Sequence, residues 1–385
     1  MFTRRNILTG SAALLAAPSV LRAQTAREVI IVGAGAAGLT AAFHLRRKGV
    51  KVRIFEAGSQ WGGRVRRLDG FADFPIDVGA EWIHDDPEIL GEIVGAGRTD
   101  LGVETITYQP QTYKQWYGGR LRQFNLLRFA YAEVKFFNTT WYGFFEKHVV
   151  PHLLGAIELN TRVTEIDHSG TKVRVRTGDG RVHTADKVVV TVPVSALQRG
   201  DIAIHPDLPV DRRQAVAGIN FGKGFKVFLS FRERFYPDML LTGPLVDQIE
   251  DDWDEKLYYD AAFGKQATSN ILGLFTSNQR MTPRAQMNDE ALVRDVITEL
   301  DTVYDGAPSR LLTGAYVRNW TADPMYGGIY SMEYDDSRFD TPEEMLAPIG
   351  GTLYFAGEAL GGDSQSTVQG AAFSAIRAVE RMLAG

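Results

Sequence analysis

The sequence of 385 residues contains no cysteine. This absence excludes disulfide bonds, thiolate metal sites, a cysteine nucleophile and a cofactor linked through cysteine. It also makes the fold indifferent to the redox state of its compartment.

Long basic runs and long apolar runs are lacking as well. The net charge is −5, and no basic run indicates nucleic-acid binding. No stretch is apolar over enough residues to span a bilayer. The hydrophobic content of 44% and charged content of 23% are typical of a globular protein long enough for two domains. We therefore expect a small-molecule partner, no nucleic acid and no stable membrane insertion, and we predict no metal site.

The N-terminus has the pattern of an export signal. Arg4 and Arg5 precede a modest apolar run over residues 7–17. This resembles a bacterial twin-arginine signal, with Ile7 where that signal most often has Phe. We therefore set residues 1–26 aside as a signal peptide and predict a periplasmic protein that is exported folded. The alternative is a basic disordered tail.

The chain is organised around residues 28–38, an apolar β-branched run that ends in a glycine turn. Gly33 permits the tight turn, Gly35 lets the backbone approach a pyrophosphate, and Gly38 allows close packing of helix and strand. A helix predicted over Ala36–Arg47 presents free N–H groups to the phosphates. The pattern predicts a dinucleotide site, against the alternative of an ordinary α/β turn.

An acid completes this unit. A second strand is predicted over Lys51–Phe55, and Glu56 follows 23 residues after Gly33, where it can accept hydrogen bonds from a ribose diol. Ala37, in the first turn of the helix, also counts as a cofactor-binding residue. Further along, Gly63 and Arg64 suit a loop that wraps a diphosphate.

The glycine fingerprint, residues 62–64 and residues 79–84 together resemble the flavin-containing amine oxidase superfamily. Its members include monoamine and polyamine oxidases, histone demethylases and L-amino-acid oxidases. The Glu-Trp-Ile-His form most resembles the polyamine oxidase branch. The resemblance implies an α/β fold, with a Rossmann-like FAD-binding domain and a substrate domain of mixed sheet and helices. The predicted FAD-binding pieces are 27–84, 155–200 and 340–385, and the substrate-domain pieces are 85–154 and 201–339.

The resemblance also implies cofactor contacts spread along the chain. Val163 would meet the adenine through its backbone, and Gly357 and Glu358 would lie at the ribitol or pyrophosphate. Thr367 and Val368 open the last helix, whose N-terminus should point at the pyrimidine end of the flavin. Gly79 and Ala80 give room for a flat ring to approach the backbone, and the adjacent Glu81 is also expected to contact the cofactor.

The reacting residues are implied in the same way. Lys226 matches the lysine that reaches flavin N5 through a water, with Lys223 as the competing candidate. Trp320 would pack near the flavin, and Tyr330 matches one wall of an aromatic cage. Ile329 stands where some relatives carry a flavin-linking cysteine, so FAD should be noncovalent.

Substrate contacts are expected from three residues. Glu81 and His84 could hydrogen-bond the distal amine of a polyamine. The ordinary interpretation is that Glu81 is a surface acid and that His84 is a buried histidine whose hydrogen bonds are made within the protein. Thr367 replaces the second cage tyrosine of monoamine oxidases.

Residues 85–152 are predicted to be the helical part of the substrate domain. This region is short for the family, so the cavity should be more open or completed by another subunit in a homodimer. The acidic residues between 247 and 255 form a solvated loop or an electrostatic guide for a polyamine.

These patterns predict FAD-dependent oxidation of a polyamine or related amine. A hydride passes to flavin N5, the imine hydrolyses to an aldehyde or ketone plus an amine, and O2 or another acceptor reoxidises the flavin. Two alternatives stay open. One is an L-amino-acid oxidase, which needs an arginine facing the substrate carboxylate; the other is an FAD-binding electron-transfer or structural protein.

Overall fold

The computed structural model describes residues 28–97, 100–123, 132–243, 255–277, 282–334 and 347–384. Within these residues, a five-stranded parallel sheet carries the glycine fingerprint. Strands are numbered in chain order, and the spatial order in this sheet is β10 (Ile157–Glu158), β2 (Lys51–Phe55), β1 (Glu28–Val32), β14 (Lys187–Val190) and β23 (Leu353–Phe355). The sheet is therefore assembled from separated pieces of the chain, as a Rossmann-like domain with an insertion requires.

Helices cover one face of this sheet. The helices that contribute to this core are α1 (Ala36–Arg47), α2 (Ile89–Ile93), α3 (Trp141–His148) and α9 (Val368–Ala384). The predicted apolar stripe of α9, including Ala372, Ala375 and Val379, is buried in the same core as Leu39 and Ala42 of α1. Burial of these two apolar faces holds the helix that follows the glycine turn against the sheet.

A second core lies on the other face, where a four-stranded sheet packs. Its strands in spatial order are β13 (Val182–Ala185), β12 (Val173–Thr177), β11 (Val163–Asp167) and β15 (Ala203–His205). The predicted hairpin is formed by β12 and β13, with Gly180 at a φ of 84° in the turn. The helices α4 (Val194–Gln198) and α5 (Val210–Gly218) follow.

A further sheet has seven strands and is mixed, with both parallel and antiparallel pairs. Its strands in spatial order are β21 (Leu312–Asn319), β17 (Phe225–Phe231), β20 (Asn270–Ser277), β19 (Glu255–Asp260), β18 (Met239–Thr242), β7 (Tyr113–Tyr117) and β8 (Arg120–Gln123). Helix α7 (Asp289–Val303) has the bounds that its amphipathic pattern predicts, and Leu292, Val296 and Leu300 are buried against this sheet. Short helices α6 (Thr282–Ala285) and α8 (Ala307–Leu311) flank it along the chain.

Short strands connect these bodies. They are β3 (Arg67–Leu68) with β4 (Ile76–Asp77), β16 (Ile219–Phe221) with β22 (Ser331–Tyr334), and β5 (Trp82–Ile83) with β9 (Glu133–Phe136) and β6 (Thr105–Tyr108). In the described part of the chain, short 3-10 helices lie at Val150–Leu153, Glu358–Leu360 and Gly362–Ser364.

The predicted helical region, residues 85–152, is largely wrong. Strands β6 to β9 occupy much of it, and its helices α2 and α3 are short. Segments such as Thr105–Tyr108 are rich in β-branched and aromatic residues, which favour strands over helices. Gly118 and Gly119 have φ values of 61° and 72° and join β7 to β8 in a two-residue hairpin loop.

The sequence of residues 158–166 predicts a single strand, and this prediction is wrong because the segment divides between two sheets. Ile157–Glu158 pairs with β2, whereas Val163–Asp167 pairs with β12 and β15. Asn160 lies between them with a φ of 54°, in the left-handed region that asparagine tolerates better than most residues. This turn brings the start of β11 to the parallel sheet.

The acidic residues between 247 and 254 lie outside the described residues, as do the N-terminal residues 1–27. Within the described residues, no helix combines the length and the apolar character needed to cross a membrane. The boundaries between the FAD-binding and substrate domains stay a prediction.

Candidate active site

One cavity of about 680 Å³ is lined by residues of both the parallel sheet and the seven-stranded sheet. It brings together every predicted site residue except Gly38. The predicted residues in its wall are Gly33, Gly35, Ala37, Glu56, Gly63, Arg64, Gly79, Ala80, Glu81, His84, Val163, Lys226, Trp320, Tyr330, Gly357, Glu358, Thr367 and Val368. Segments that are far apart in the sequence therefore form a single site.

Gly33, Gly35, Ala37 and Gly63 form the part of this cavity that we call the glycine wall. Gly33 has a φ of 108°, which favours glycine. A Cβ on Gly38 would lie 2.0 Å from the Gly33 carbonyl oxygen, so this glycine serves the packing of α1 on β1. A Cβ on Gly35 would meet only the Gly63 Cα, at 3.9 Å, and would otherwise enter the cavity.

The N-terminus of α1 opens onto the glycine wall. Gly35 is the N-cap, and no side chain in the described structure caps this helix. The first N–H groups of a helix need acceptors and carry a positive partial charge. An uncapped helix start behind a glycine cradle fits the pyrophosphate of a dinucleotide.

Glu56 is buried at the end of β2. Its Oε2 accepts a hydrogen bond from the Ala34 N–H at 2.7 Å, and its Oε1 accepts one from the Gly58 N–H at 2.7 Å. A carboxylate has about four acceptor positions, so these bonds fix its orientation and leave capacity for a ribose diol.

Arg64 and Glu358 form an ion pair in the cavity wall. Arg64 Nη1 lies 3.0 Å from Glu358 Oε1 and donates to the Ile329 carbonyl at 2.6 Å. The Ser331 hydroxyl donates to Glu358 Oε2 at 2.6 Å. The two predicted cofactor residues therefore also hold each other, and this pair ties the glycine-rich loop to the segment before Tyr330.

The start of α9 is capped by Thr367. Its hydroxyl oxygen accepts a hydrogen bond from the Gly370 N–H at 2.9 Å and donates to the Ser364 carbonyl at 2.7 Å. Thr367 and Val368 line the cavity, so this helix N-terminus lies at its wall. The hydroxyl has a structural role that the substrate-contact prediction did not include.

Position 79 must be glycine because neighbouring protein atoms leave no room for a side chain there. A Cβ there would lie 1.7 Å from the Arg64 carbonyl oxygen and 3.2 Å from Trp320 Cζ2. Trp320 is buried, donates from Nε1 to the Val78 carbonyl at 3.2 Å, and stacks under the Arg318 guanidinium at 3.8 Å. The indole is thus fixed at the wall that Tyr330 also lines.

Glu81, Lys135, Lys226 and Tyr259 form a buried charged cluster beside the cavity. Glu81 Oε2 accepts hydrogen bonds from Lys226 Nζ at 2.9 Å and from the Tyr259 hydroxyl at 2.5 Å. Lys135 Nζ lies 3.4 Å from Glu81 Oε1. Burial opposes ionisation of Glu81, but the charges of the two lysines and the hydrogen bond from Tyr259 lower its pKa to about 2.

Two further ionisable groups surround the charged cluster. Burial, together with the negative charge of Glu81, raises the pKa of Asp77 well above its usual value. Burial, together with the positive charge of Lys135, lowers the pKa of Lys265 to about 8. The region therefore disfavours additional charge, of either sign.

His84 and Lys223 occupy different positions from the cluster. His84 lines the cavity, is half-exposed, and places Nδ1 3.2 Å from Glu133 Oε2. Lys223 donates to the Gly327 carbonyl at 2.7 Å and is not among the described residues that line the cavity. Of the two competing lysines, Lys226 is thus the one at the site.

The sequence reasoning missed Lys135, Tyr259 and Asp77. No local pattern identifies them, because a lysine in a short strand is usually exposed and only the tertiary fold places Lys135 beside Glu81. Arg162 and Ser331 also line the cavity without having been predicted. In the described residues, no group of three or more histidine, aspartate or glutamate side chains could hold a metal ion.

Comparisons with known proteins agree with this geometry. A model of the flavin containing amine oxidoreductase family matches residues 143–383, and a model of an NAD(P)-binding Rossmann-like domain matches residues 31–92. The chain is 23% identical to the mouse lysine-specific histone demethylase 1B, over 93% of this chain and 53% of that protein. It is 22% identical to polyamine oxidase 2 of Arabidopsis thaliana, over 91% of this chain and 87% of that protein.

The chain spans about half the length of the histone demethylase that it matches. Among solved structures, putrescine oxidase bound to putrescine superimposes with a TM-score of 0.76 at 15% identity. The match covers 93% of this chain and 99% of that one. At this identity the likeness shows a shared fold.

Proposed function

The chain belongs to the flavin-containing amine oxidoreductase family and is thus an FAD-dependent oxidoreductase, and we propose that it oxidises a diamine or polyamine. The observation that carries the proposal is that the glycine wall and a second group of predicted residues line the same cavity. The glycine wall suits a dinucleotide, and Lys226, Trp320 and Tyr330 line the same space.

The chain's own residues fit FAD. The α1 N-terminus and Gly35 would hold the pyrophosphate, Glu56 the adenosine ribose, and the α9 N-terminus the flavin ring. Because the chain has no cysteine, binding is proposed to be noncovalent. When bound, FAD accepts a hydride equivalent from the carbon beside the amine nitrogen and passes the electrons to O2 or another acceptor.

The protein's own residues would position the substrate amine and set the polarity of its surroundings. Phe225, Phe275 and Trp320 line the cavity, and apolar walls disfavour a protonated amine, so the reactive free base is favoured. Lys226 Nζ offers a cationic donor for a water or an anionic group in the cavity. The imine released from the substrate would then hydrolyse to an aldehyde or ketone and an amine.

The half-exposed pair of His84 and Glu133 is the proposed contact for a distal ammonium group. His84 lines the cavity and lies 3.2 Å from the Glu133 carboxylate, a negative charge near the cavity that a monoamine would leave unused. A diamine should therefore bind more tightly than a monoamine of equal length.

An L-amino-acid oxidase would need an arginine for the substrate carboxylate. In the described part of the cavity wall the arginines are Arg64 and Arg162. Arg64 is paired with Glu358, and Arg162 precedes the segment predicted to meet the adenine. Neither position supports an amino acid as substrate.

An anaerobic bleaching screen of the flavin absorbance tests the proposal. Putrescine, spermidine, spermine, chain-length-matched monoamines, methylated lysine peptides and L-amino acids would each be mixed with the FAD-loaded protein. We expect di- and polyamines to bleach the flavin fastest. Bleaching by amino acids alone would overturn the proposal, and no bleaching by any of them would favour the electron-transfer alternative.

Export by the twin-arginine route to the periplasm is part of the same proposal, and it rests on the sequence of residues 1–26. Replacing Arg4 and Arg5 by lysine should hold the full-length chain in the cytoplasm of a host that has this export system. Fractionation with the unchanged chain as control measures this. Assembly as a homodimer is likewise proposed, with sedimentation as its test.

A further inference from the structure

Three donors converge on the carboxylate of Glu81 from three separate strands. Lys226 lies on β17, Lys135 on β9 and Tyr259 on β19, and all four side chains are buried. The distances from Glu81 are 2.9 Å to Lys226 Nζ, 2.5 Å to the Tyr259 hydroxyl and 3.4 Å to Lys135 Nζ. Glu81 is therefore fixed by the protein itself and is not free to follow a substrate.

The donors of Lys226 are only partly used. Its Nζ donates to Glu81 Oε2 at 2.9 Å and to the Asp77 carbonyl at 3.4 Å. A lysine carries three N–H donors, so one remains for the cavity that Lys226 lines. The two bonds to the protein fix the direction in which that third donor is offered.

Charged groups of both signs surround Lys226. Lys135 and Lys265 are basic groups in the same region. Glu81 is the ionised counterion in contact with Lys226, whereas Asp77 is shifted toward its neutral form. Lys135, which also binds the Ala261 carbonyl, helps to keep Glu81 ionised.

We propose that Glu81 is a positioning residue that holds Lys226 Nζ directed into the cavity, and that it is not a ligand for the substrate's distal amine. Lys135 and Tyr259 hold the carboxylate in place. The inference rests on the proposed function, because it gives Lys226 its role at the flavin. It replaces the expectation that Glu81 contacts a polyamine and leaves His84 as the distal contact.

The direct test is the Cε resonance of Lys226. In FAD-loaded protein labelled with [ε-13C]lysine, this resonance reports the surroundings of Nζ, and its absence in K226M assigns it. We expect it to move in E81Q at constant pH, because the carboxylate 2.9 Å from Nζ is lost. The Lys223 resonance is the internal control and should not move. An unchanged Lys226 resonance in E81Q would overturn the proposal.

A kinetic cycle separates positioning from substrate binding. We expect E81Q to slow flavin reduction by amine at least about 10-fold without weakening amine binding. In the K226M background, the same substitution should slow flavin reduction by less than about a further twofold. Equal weakening of amine binding in both backgrounds would make Glu81 a substrate ligand and overturn the proposal. If no amine reduces the flavin, the proposed function fails, while the Lys226 resonance still decides the role of Glu81.

E81D supplies the test if E81Q does not fold or load FAD, because it keeps the charge and shortens the side chain by one methylene. The longer gap between the carboxylate and Nζ should move the Lys226 Cε resonance by less than E81Q would, and should slow flavin reduction. An unchanged resonance together with an unchanged reduction rate in E81D would contradict the proposal.

Discussion

The glycine wall and the charged cluster differ in how the chain builds them. The glycine wall comes from one short segment, residues 33–63, and its geometry is set by backbone contacts. The charged cluster joins Glu81, which directly precedes β5, to side chains of three strands, Lys135, Lys226 and Tyr259, and its geometry is set by side chains that neutralise one another. A local backbone motif can be recognised from sequence, whereas a cluster of compensated charges exists only in the folded chain.

Substitutions in the glycine wall and in the charged cluster should therefore have different consequences. Changes in the glycine wall should affect folding or FAD binding. Changes in the charged cluster should leave FAD in place and affect the reaction with amine.

Gly38→Ala should have the largest effect on stability. Its Cβ would lie 2.0 Å from the Gly33 carbonyl oxygen, so α1 must move away from β1. We expect a loss of about 3 kcal/mol or more in the free energy of unfolding, measured by urea denaturation of the FAD-free protein.

Gly35→Ala is the matched variant, because its Cβ meets only the Gly63 Cα at 3.9 Å and otherwise enters the cavity. The FAD-free protein should keep its stability within about 0.5 kcal/mol, while FAD affinity falls at least about 10-fold. Equal stability of the two variants, or normal FAD affinity in Gly35→Ala, would contradict the assignment of Gly38 to helix packing and of Gly35 to FAD binding.

Lys265→Met should change the pH dependence of stability by a smaller amount. Burial and Lys135 lower the Lys265 pKa from 10.5 to about 8, so between these values the unfolded chain binds the proton and the folded chain does not. The free energy of unfolding therefore rises with pH across this window, by at most about 3 kcal/mol. The variant should lack this rise, so its stability relative to the unchanged protein should be greater at pH 7 than at pH 10.

Urea denaturation at the two pH values measures the effect. Lys172→Met serves as control, since Lys172 is a surface lysine paired with Asp186 and should not alter the slope. The same rise with pH in Lys265→Met and in the unchanged protein would refute the assignment of the shift to Lys265.

The elements that were predicted correctly are those whose structure depends on a local sequence pattern. β1, the turn at Gly33 and α1 have the predicted bounds, because strand period, glycine spacing and helix period are all local. Helix α7 was predicted to the residue for the same reason. The location of Lys226 at the cavity also agrees with its prediction by resemblance.

The failures have long-range causes. Residues 85–152 were predicted as helical from resemblance, whereas β7 pairs with β18, a partner more than 100 residues away. Lys135 and Tyr259 were not predicted beside Glu81, because only the folded chain brings their strands together. The capping bond of Thr367 to Gly370 was not predicted either, because it depends on where α9 begins.

The central claim is that Lys226 serves the reaction and not the binding of FAD. Single-turnover reduction of FAD-loaded K226M by the best diamine, under anaerobic conditions, tests it most directly, with K223M as the matched control. We predict that K226M retains stoichiometric FAD but is reduced at least about 100-fold more slowly than the unchanged protein, while K223M differs by less than about threefold. Reduction of K226M at the unchanged rate would contradict the claim.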